Sequence, residues 1–295
     1  MAASAGLRMW IAGARPRTWP ASLVPVFVGT AASDAAVGDG VVWWRAGCAL
    51  VVSLFIQIAV NYANDYSDGV RGTDADRVGP ARLVASGAAS PVAVRAAAFA
   101  SFGVAAGVGI VVAAAVSWWL IVAGGASILA AWYYTGGRSP YGYRGLGELF
   151  VFVFFGVVAT AGSAFVQDAQ LSILGVAASV PVGLGSVALL ISNNLRDLPR
   201  DERAGKRTLA VRMGDAPTRV LYAAVVAIAV FSPLYLWLLR PWAFVGLLGA
   251  VAALAPVRAV LRGARGRALL PVLAGTGRLQ LVLGALLTVG FLLGT

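Results

Sequence analysis

The chain contains no histidine, a single cysteine and few charged residues. Its 295 residues include only 12 Asp and Glu, and charged residues of both signs make up 12% of the total. Without histidine, acid–base catalysis by an imidazole, the commonest kind, is excluded. Because Cys48 stands alone, a disulfide framework and a cysteine-based metal site are excluded as well.

Apolar residues dominate what remains. Hydrophobic residues form 60% of the chain, and the mean hydropathy is +0.84. Runs near the length of a bilayer core predict membrane spans, and backbone hydrogen bonding in lipid requires them to be helices. The sequence therefore predicts one all-α, polytopic membrane domain over residues 1–295, with about nine spans. The predicted spans cover residues 20–36, 42–63, 92–115, 118–134, 147–166, 173–193, 218–239, 242–261 and 279–294.

The basic residues predict the orientation. The net charge of +11 would suggest a nucleic-acid partner in a soluble protein, whereas in a membrane protein it indicates contact with anionic lipids. With the N-terminus inside, every Arg and Lys except Arg45 and Arg240 lies on the inner side. The positive-inside rule therefore predicts a multi-pass protein of the plasma (inner) membrane with no nucleic-acid partner. The N-terminal stretch is expected to be a cytoplasmic lead-in, not a cleaved signal.

Carboxylates and amides concentrate in NYANDYSDGVRGTDAD, residues 61–76. Asn61, Asn64, Asp65 and Asp68 follow a spacing of i, i+3, i+4 and i+7, which is one face if the preceding helix continues. Carboxylates at the end of a membrane helix are costly to bury and indicate a functional site. Oxygen ligands without His or Cys favour a hard cation, Mg²⁺ first. The alternative to a functional site is that these are ordinary solvated residues at a helix end.

A second acidic motif ends the sixth predicted span. Asn193 precedes Asp197 and Asp201, which are spaced i, i+4, and Lys206 and Arg207 follow. Four spans separate the two motifs, so both point to the cytoplasmic side. This repeat predicts two four-helix units plus one helix, with halves at about 20–134 and 147–261. Opposed aspartates would need a cation between them, and basic residues nearby would contact phosphate.

A third polar patch, YYTGGRSPYGYRGLGE, covers residues 133–148. Its glycines and Pro140 predict an ordered turn. Tyr134 offers a hydroxyl and a ring face, although tyrosines at this depth also form the ordinary aromatic belt. Glu148 opens a span at the same rim as both acidic motifs, where it could also complement the helix dipole.

Together these motifs resemble the UbiA-type membrane prenyltransferase superfamily. Within it, RPRTWPASLVPVFVGT, residues 61–74 and YTGGRSPYGYRGLGE resemble the 1,4-dihydroxy-2-naphthoate polyprenyltransferases of menaquinone synthesis. The resemblance implies helices around a central cavity and two Asp-rich motifs that bind Mg²⁺ and an isoprenyl diphosphate. One departure is that Arg138 follows Tyr134 where many members have lysine.

The resemblance also implies roles for individual residues. The expected Mg²⁺ ligands are Asp65, Asp68, Asp74, Asp197 and Asp201. The expected diphosphate contacts are Asn61, Asn64, Arg82, Arg138, Asn193, Lys206 and Arg207. The expected catalytic residues are Asp65, Asp68, Tyr134 and Glu148, of which Tyr134 and Glu148 would position or deprotonate the acceptor.

The implied reaction transfers a polyprenyl group from its diphosphate to 1,4-dihydroxy-2-naphthoate, with loss of carbon dioxide, to give demethylmenaquinone. Two alternatives stay open. The acceptor could be another aromatic or lipid molecule, such as 4-hydroxybenzoate or a glycerol phosphate lipid. A membrane transporter would also carry intramembrane carboxylates, but here the carboxylates cluster at one face. The sequence does not specify the oligomeric state.

Overall fold

The computed structural model describes residues 2–38, 40–73 and 82–293, and within these ranges the chain is helical and contains no β-strand. Eleven helices follow in chain order: α1 (Ala2–Gly13), α2 (Pro20–Val37), α3 (Trp43–Val70), α4 (Pro91–Ala115), α5 (Trp119–Tyr133), α6 (Gly147–Asp168), α7 (Ile173–Arg203), α8 (Leu209–Met213), α9 (Asp215–Leu236), α10 (Pro241–Leu261) and α11 (Gly266–Leu292).

Most of these helices are apolar and long. In the part of the chain that the structure describes, 7 helices are long and apolar enough to cross a membrane, namely α3, α4, α6, α7, α9, α10 and α11. Helix α5 is also apolar but has only 15 residues. Helix α2 has 18 residues. The predicted all-helical, polytopic membrane fold is confirmed, whereas the number of nine spans and the two four-helix units stay predictions.

Hydrogen bonds hold the helix ends together at both faces of the bundle. At one end, which we call the Asp68 end, the α5–α6 connection meets the α7–α8 connection, where the Arg207 amide donates to the Tyr143 carbonyl over 3.1 Å. At the opposite end, Ser33 of α2 donates to the Asp168 carboxylate of α6 over 2.7 Å. The molecule therefore has two distinct polar ends separated by apolar helix surfaces.

Exposed tryptophans mark the end opposite Asp68. They lie where α3 and α5 begin and around the turn between α9 and α10, and they are Trp43, Trp44, Trp118, Trp119, Trp237 and Trp242. Tryptophan is enriched where a membrane protein meets the lipid–water interface. This distribution agrees with helices that end at a bilayer surface.

Helices α6 and α7 cross at a pair of glycines. A Cβ on Gly156 would lie 2.6 Å from the Cα of Gly183, so only glycine permits this approach. Gly156 belongs to a π-helical segment, Phe152–Val158, inside α6. Such segments are rare and often occur near functional sites. The crossing fixes α6, and with it Glu148 in its first turn, against α7.

Candidate active site

The acidic end of α3 is helical and buried. Helix α3 continues to Val70, so the predicted spacing of Asn61, Asn64, Asp65 and Asp68 does put these residues on one face. All four are buried, with Asp65 only 1% and Asp68 only 4% exposed. The alternative that these are solvated residues at a helix end is wrong, because the carboxylates face the protein interior.

Asp68 is the centre of the site. Its Oδ1 accepts hydrogen bonds from the Tyr143 hydroxyl and, over 3.0 Å, from the Lys206 Nζ. Its Oδ2 lies 3.7 Å from a guanidinium nitrogen of Arg82. The Lys206 ammonium also lies 4.7 Å from the centre of the Tyr143 ring. Asp68, Lys206 and Arg82 are all buried, so this ion-pair network is shielded from solvent.

Lys206 connects the two acidic motifs. Its backbone amide donates to the Asp201 carbonyl over 2.8 Å, while its side chain reaches Asp68 of the first motif. Gly205, with a φ of +71°, gives the reversal that brings Lys206 back beside α7. The predicted meeting of the two motifs is therefore visible as a lysine of one motif bound to an aspartate of the other.

The second motif is held by its own arginines. The Arg196 guanidinium donates to both Asp197 oxygens, over 2.8 and 2.6 Å. Arg200 lies 3.3 Å from Asp197 and 3.2 Å from Asp201. Both aspartates are buried. The predicted carboxylate pair on α7 is therefore paired with arginines of the same helix.

Asp65 and Asn61 are bound to the backbone. Asp65 accepts from the amides of Leu83 and Val84 over 2.9 and 3.0 Å, which fixes the segment that follows Arg82. The Asn61 amide donates to the Ala14 carbonyl over 2.9 Å. These contacts give both residues a structural role beside any role toward a ligand.

Glu148 and Asn64 extend the buried polar face. Glu148 accepts a hydrogen bond from the Asn194 amide over 2.9 Å. Asn64 accepts one from the Thr135 hydroxyl over 2.7 Å. Sequence reasoning named Asn193, whose side-chain oxygen accepts from Arg196 instead, and missed Asn194. The spacing of Asn194 to Asp197 and Asp201, i+3 and i+7, was a signal that could have found it.

The tyrosines of the α5–α6 connection lie beside the acidic residues. Burial raises the pKa of the Tyr134 hydroxyl well above its usual range, and the charges of Glu148, Asp68 and Asp201 raise it further. Burial also raises the pKa of Tyr143, as do the charge of Asp68 and the hydrogen bond to it. Both hydroxyls are therefore protonated donors at neutral pH.

Two predicted diphosphate contacts lie at the surface. Arg138 is exposed in the α5–α6 connection. Arg207 is exposed as well and, with Lys206, lines an open depression. Sequence reasoning gave no such role to Arg71, which donates to the carbonyls of Thr135 and Gly137. The Arg71 guanidinium lies 5.5 Å from the Tyr143 ring centre.

The donor chemistry of the site fits a hard cation. Its acidic and amide side chains offer only oxygen ligands, and Asp68 meets the second motif through Lys206. Within residues 2–38, 40–73 and 82–293, no group of three His, Cys, Asp or Glu side chains converges on one point. Asp74, a predicted ligand, lies outside the described residues.

Comparison with known proteins places this geometry in context. Residues 22–269 match the UbiA prenyltransferase family. A 1,4-dihydroxy-2-naphthoate octaprenyltransferase from Mycobacterium tuberculosis is 49% identical over 278 residues, which cover 94% of this chain and 94% of that protein.

Solved structures share the fold. The apo structure of a UbiA homologue from Aeropyrum pernix K1 has a TM-score of 0.69 at 17% identity and covers 92% of this chain and 97% of that chain. A UbiA homologue from Archaeoglobus fulgidus bound to GPP and Mg²⁺ has a TM-score of 0.63 at 15% identity and covers 95% of this chain and 99% of that chain. At these identities the likeness concerns the fold alone.

Proposed function

This chain belongs to the UbiA prenyltransferase family, and we propose that it transfers a polyprenyl group from polyprenyl diphosphate to 1,4-dihydroxy-2-naphthoate. The observation that carries the proposal is the buried contact between Asp68 of the first acidic motif and Lys206 of the second. It joins acidic and basic groups in one site, as a metal-bound diphosphate requires. The relative that shares 49% identity supports this acceptor.

We propose Mg²⁺ as the cofactor, and the structural relative with GPP and Mg²⁺ supports a divalent cation. Asp65, Asp68, Asp74, Asp197 and Asp201 would hold it. When bound, Mg²⁺ would neutralise charge on the diphosphate and stabilise its departure.

The basic and amide residues form the proposed diphosphate subsite. Lys206 and Arg82, both buried beside Asp68, would contact the leaving pyrophosphate as its charge develops. The remaining proposed contacts to the diphosphate are the side chains of Asn61, Asn64 and Asn193. Arg138 and Arg207, at the surface, would attract the anionic substrate to the entrance.

Bond changes in the proposed reaction balance without an oxidant. The allylic C–O bond breaks and the pyrophosphate leaves with its electron pair. The electron-rich ring then forms a bond to the allylic carbon. The electron pair of the bond to the carboxylate restores aromaticity as carbon dioxide leaves. The product is demethylmenaquinone in its quinol form. The half-buried ring of Tyr143 already lies near the Lys206 ammonium, so aromatic faces at this end of the bundle suit the shelter of a cation.

Tyr134 and Glu148 are the proposed contacts to the acceptor. Both border the acidic motifs, and the charge of Glu148 reaches the Tyr134 hydroxyl. We further propose a plasma-membrane location with the Asp68 end in the cytoplasm, which the basic residues near that end support. The oligomeric state stays open.

A direct test supplies membranes containing the protein with Mg²⁺, a polyprenyl diphosphate and one acceptor at a time. The acceptors are 1,4-dihydroxy-2-naphthoate, 4-hydroxybenzoate and a glycerol phosphate lipid. We expect a lipophilic product with the first acceptor only, and none after removal of the divalent cation. A product with another acceptor alone would overturn the assigned substrate.

The Asp68→Ala variant tests the site. Because it removes the carboxylate that binds Lys206 and Tyr143, we expect activity to fall about 100-fold or more. Asp34→Ala, at the opposite end of the bundle, is the control and should keep wild-type activity. Full activity of Asp68→Ala would contradict the assignment of this centre.

A further inference from the structure

Glu148 is a buried carboxylate with one oxygen left without a partner. It is 8% exposed, and its Oε1 accepts a hydrogen bond from the Asn194 amide over 2.9 Å. Its Oε2 is buried and has no hydrogen-bond partner among the described residues. Nor does a basic side chain of those residues lie within ion-pair distance of Glu148, unlike Asp68, Asp197 and Asp201. The carboxylate is therefore incompletely satisfied by the protein.

A position at a helix N-terminus does not account for this oxygen. Glu148 lies in the first turn of α6, where its charge complements the helix dipole. That interaction favours a carboxylate anywhere near the helix end and leaves it free to stay in solvent. Burying an oxygen without a donor is unfavourable, because the oxygen loses its hydrogen bonds to water and gains none. A ligand that donates a hydrogen bond to Oε2 would remove this cost.

Glu148 lies beside the acidic motifs, through its contacts with Asn194 of α7 and the neighbouring Tyr134. The preceding residue, Gly147, packs against Tyr134, since a Cβ there would lie 3.5 Å from the Tyr134 hydroxyl oxygen. That hydroxyl is influenced by the charges of Glu148, Asp68 and Asp201 together. Asn194 lies on α7 one turn before Asp197. A ligand beside Glu148 would thus lie next to the reacting diphosphate.

Charge divides this buried polar region into two sides. Lys206 and Arg82 surround Asp68, whereas no cation accompanies Glu148 within the described ranges. A carboxylate on the acceptor would be repelled by Glu148 and attracted to the basic side. In 1,4-dihydroxy-2-naphthoate the 1-hydroxyl can bond internally to the adjacent carboxylate, so the 4-hydroxyl is the free donor.

We propose that Glu148 Oε2 accepts a hydrogen bond from the acceptor's 4-hydroxyl, and that Asn194 is the residue that positions Glu148 for it. This inference rests on the proposed function. The contact orients the ring so that its carboxylate points toward Lys206, and it selects acceptors that carry a second hydroxyl para to the one beside the carboxylate. Asn194 holds Oε1 and thereby directs Oε2 to the ligand.

The test pairs a side-chain change with a ligand change. Glu148→Gln keeps the shape but puts an amide donor where Oε2 stood. We expect kcat/KM for 1,4-dihydroxy-2-naphthoate to fall about 10- to 100-fold, the worth of a charge-assisted hydrogen bond. The KM for polyprenyl diphosphate should stay unchanged. The inhibition constant of 1-hydroxy-2-naphthoate, which lacks the 4-hydroxyl, should be equal for wild type and variant.

Asn194→Ala tests the positioning role. We expect KM for the acceptor to rise about 3- to 10-fold, with KM for the donor unchanged, because only the orientation of Glu148 is lost. Asn194→Gln, which retains the amide, should recover part of the loss. A purely structural role would change both KM values or neither. Thermal unfolding of each variant in detergent identifies any that fails to fold.

The outcomes separate this inference from the proposed function. If wild type forms no product from 1,4-dihydroxy-2-naphthoate, the proposed function fails. Suppose that wild type forms product, but Glu148→Gln weakens the binding of 1-hydroxy-2-naphthoate as much as it lowers kcat/KM for the full acceptor. The hydroxyl contact is then refuted, while the proposed function stands. Asp34→Asn makes the same carboxylate-to-amide change in the last turn of α2, at the opposite end of the bundle, and it should alter neither constant.

Discussion

Asp65 and Asp68 lie about one helical turn apart on α3, yet their carboxylates have different partners. Asp68 binds side chains, Tyr143 and Lys206, from two other segments. Asp65 binds only backbone amides, those of Leu83 and Val84, among the contacts of the described residues. The two aspartates belong to one sequence motif but have different roles. Asp68 is the centre of an ion-pair network, and Asp65 anchors the connection between α3 and α4.

The anchor predicts a loss of stability. Asp65→Ala leaves two amides without their acceptor, so we expect unfolding to become easier by about 2 to 4 kcal/mol. Asp65→Asn, which keeps one acceptor oxygen, should lose about half as much. Thermal unfolding in detergent measures both. An Asp65→Ala protein as stable as wild type would show that these hydrogen bonds contribute nothing.

Tyr143 gives a prediction about pH. Its hydroxyl donates to Asp68 only while protonated, and its pKa in the folded protein is raised by burial, then by Asp68. Stabilisation by this bond is therefore complete below the unfolded pKa of about 10 and disappears only as the pH rises through the higher folded pKa.

The measurement compares wild type with Tyr143→Phe. We expect the variant to be less stable by about 1.5 to 3 kcal/mol, because a hydrogen bond to a charged group is lost. The difference should hold constant between about pH 7 and pH 9.5. Tyr133→Phe, at an exposed tyrosine ten residues earlier, should match wild type throughout. A difference that already decreases below about pH 9.5 would contradict the raised pKa of Tyr143.

Helix α6 links the candidate site to the interior of the helix bundle. It starts at the candidate site with Glu148, passes through a π-helical segment and touches α7 at Gly156 and Gly183. Because the same two helices carry Glu148 and Asn194, their crossing sets the geometry of that hydrogen bond. Packing inside the membrane thus determines the position of a polar contact at its edge.

Two glycines of α6 test the crossing. Gly156→Ala would place a methyl group 2.6 Å from the Gly183 Cα, so we expect the helices to separate at a cost of about 1 to 3 kcal/mol. Gly162→Ala, in the same helix with nothing within 4 Å, should be neutral or stabilising. Thermal unfolding compares the two. Equal effects would mean that the glycine contact is unimportant.

For the molecule as a whole, the distribution of basic residues supports the proposed orientation, with the Asp68 end in the cytoplasm. Gln170 is exposed just before α7 begins, and Glu202 is exposed in its last turn. In a background with Cys48→Ala, we expect an impermeant thiol reagent to label Gln170→Cys in intact cells. Glu202→Cys should react only after the membrane is opened. The reverse pattern would place the candidate site outside the cell.

The sequence by itself determined the helices, because a span is recognised by its own apolar residues. The predicted segments begin within a few residues of α2 to α7, α9 and α10, although the last predicted span starts well inside α11. The helical face of Asn61 to Asp68 and the gathering of charge at one end were likewise readable, since period and hydropathy are local properties.

Only the tertiary structure decided which polar groups meet. Lys206 and Asp68 are 138 residues apart, and Asn194 and Glu148 are 46 apart. Several arginines and asparagines of similar spacing compete for each partner, and the sequence prediction named Asn193 where the structure pairs Asn194 with Glu148. The choice depends on the crossing and rotation of helices, which the packing of the whole core fixes. For that reason the chemistry was predictable, whereas the pairing of its residues was not.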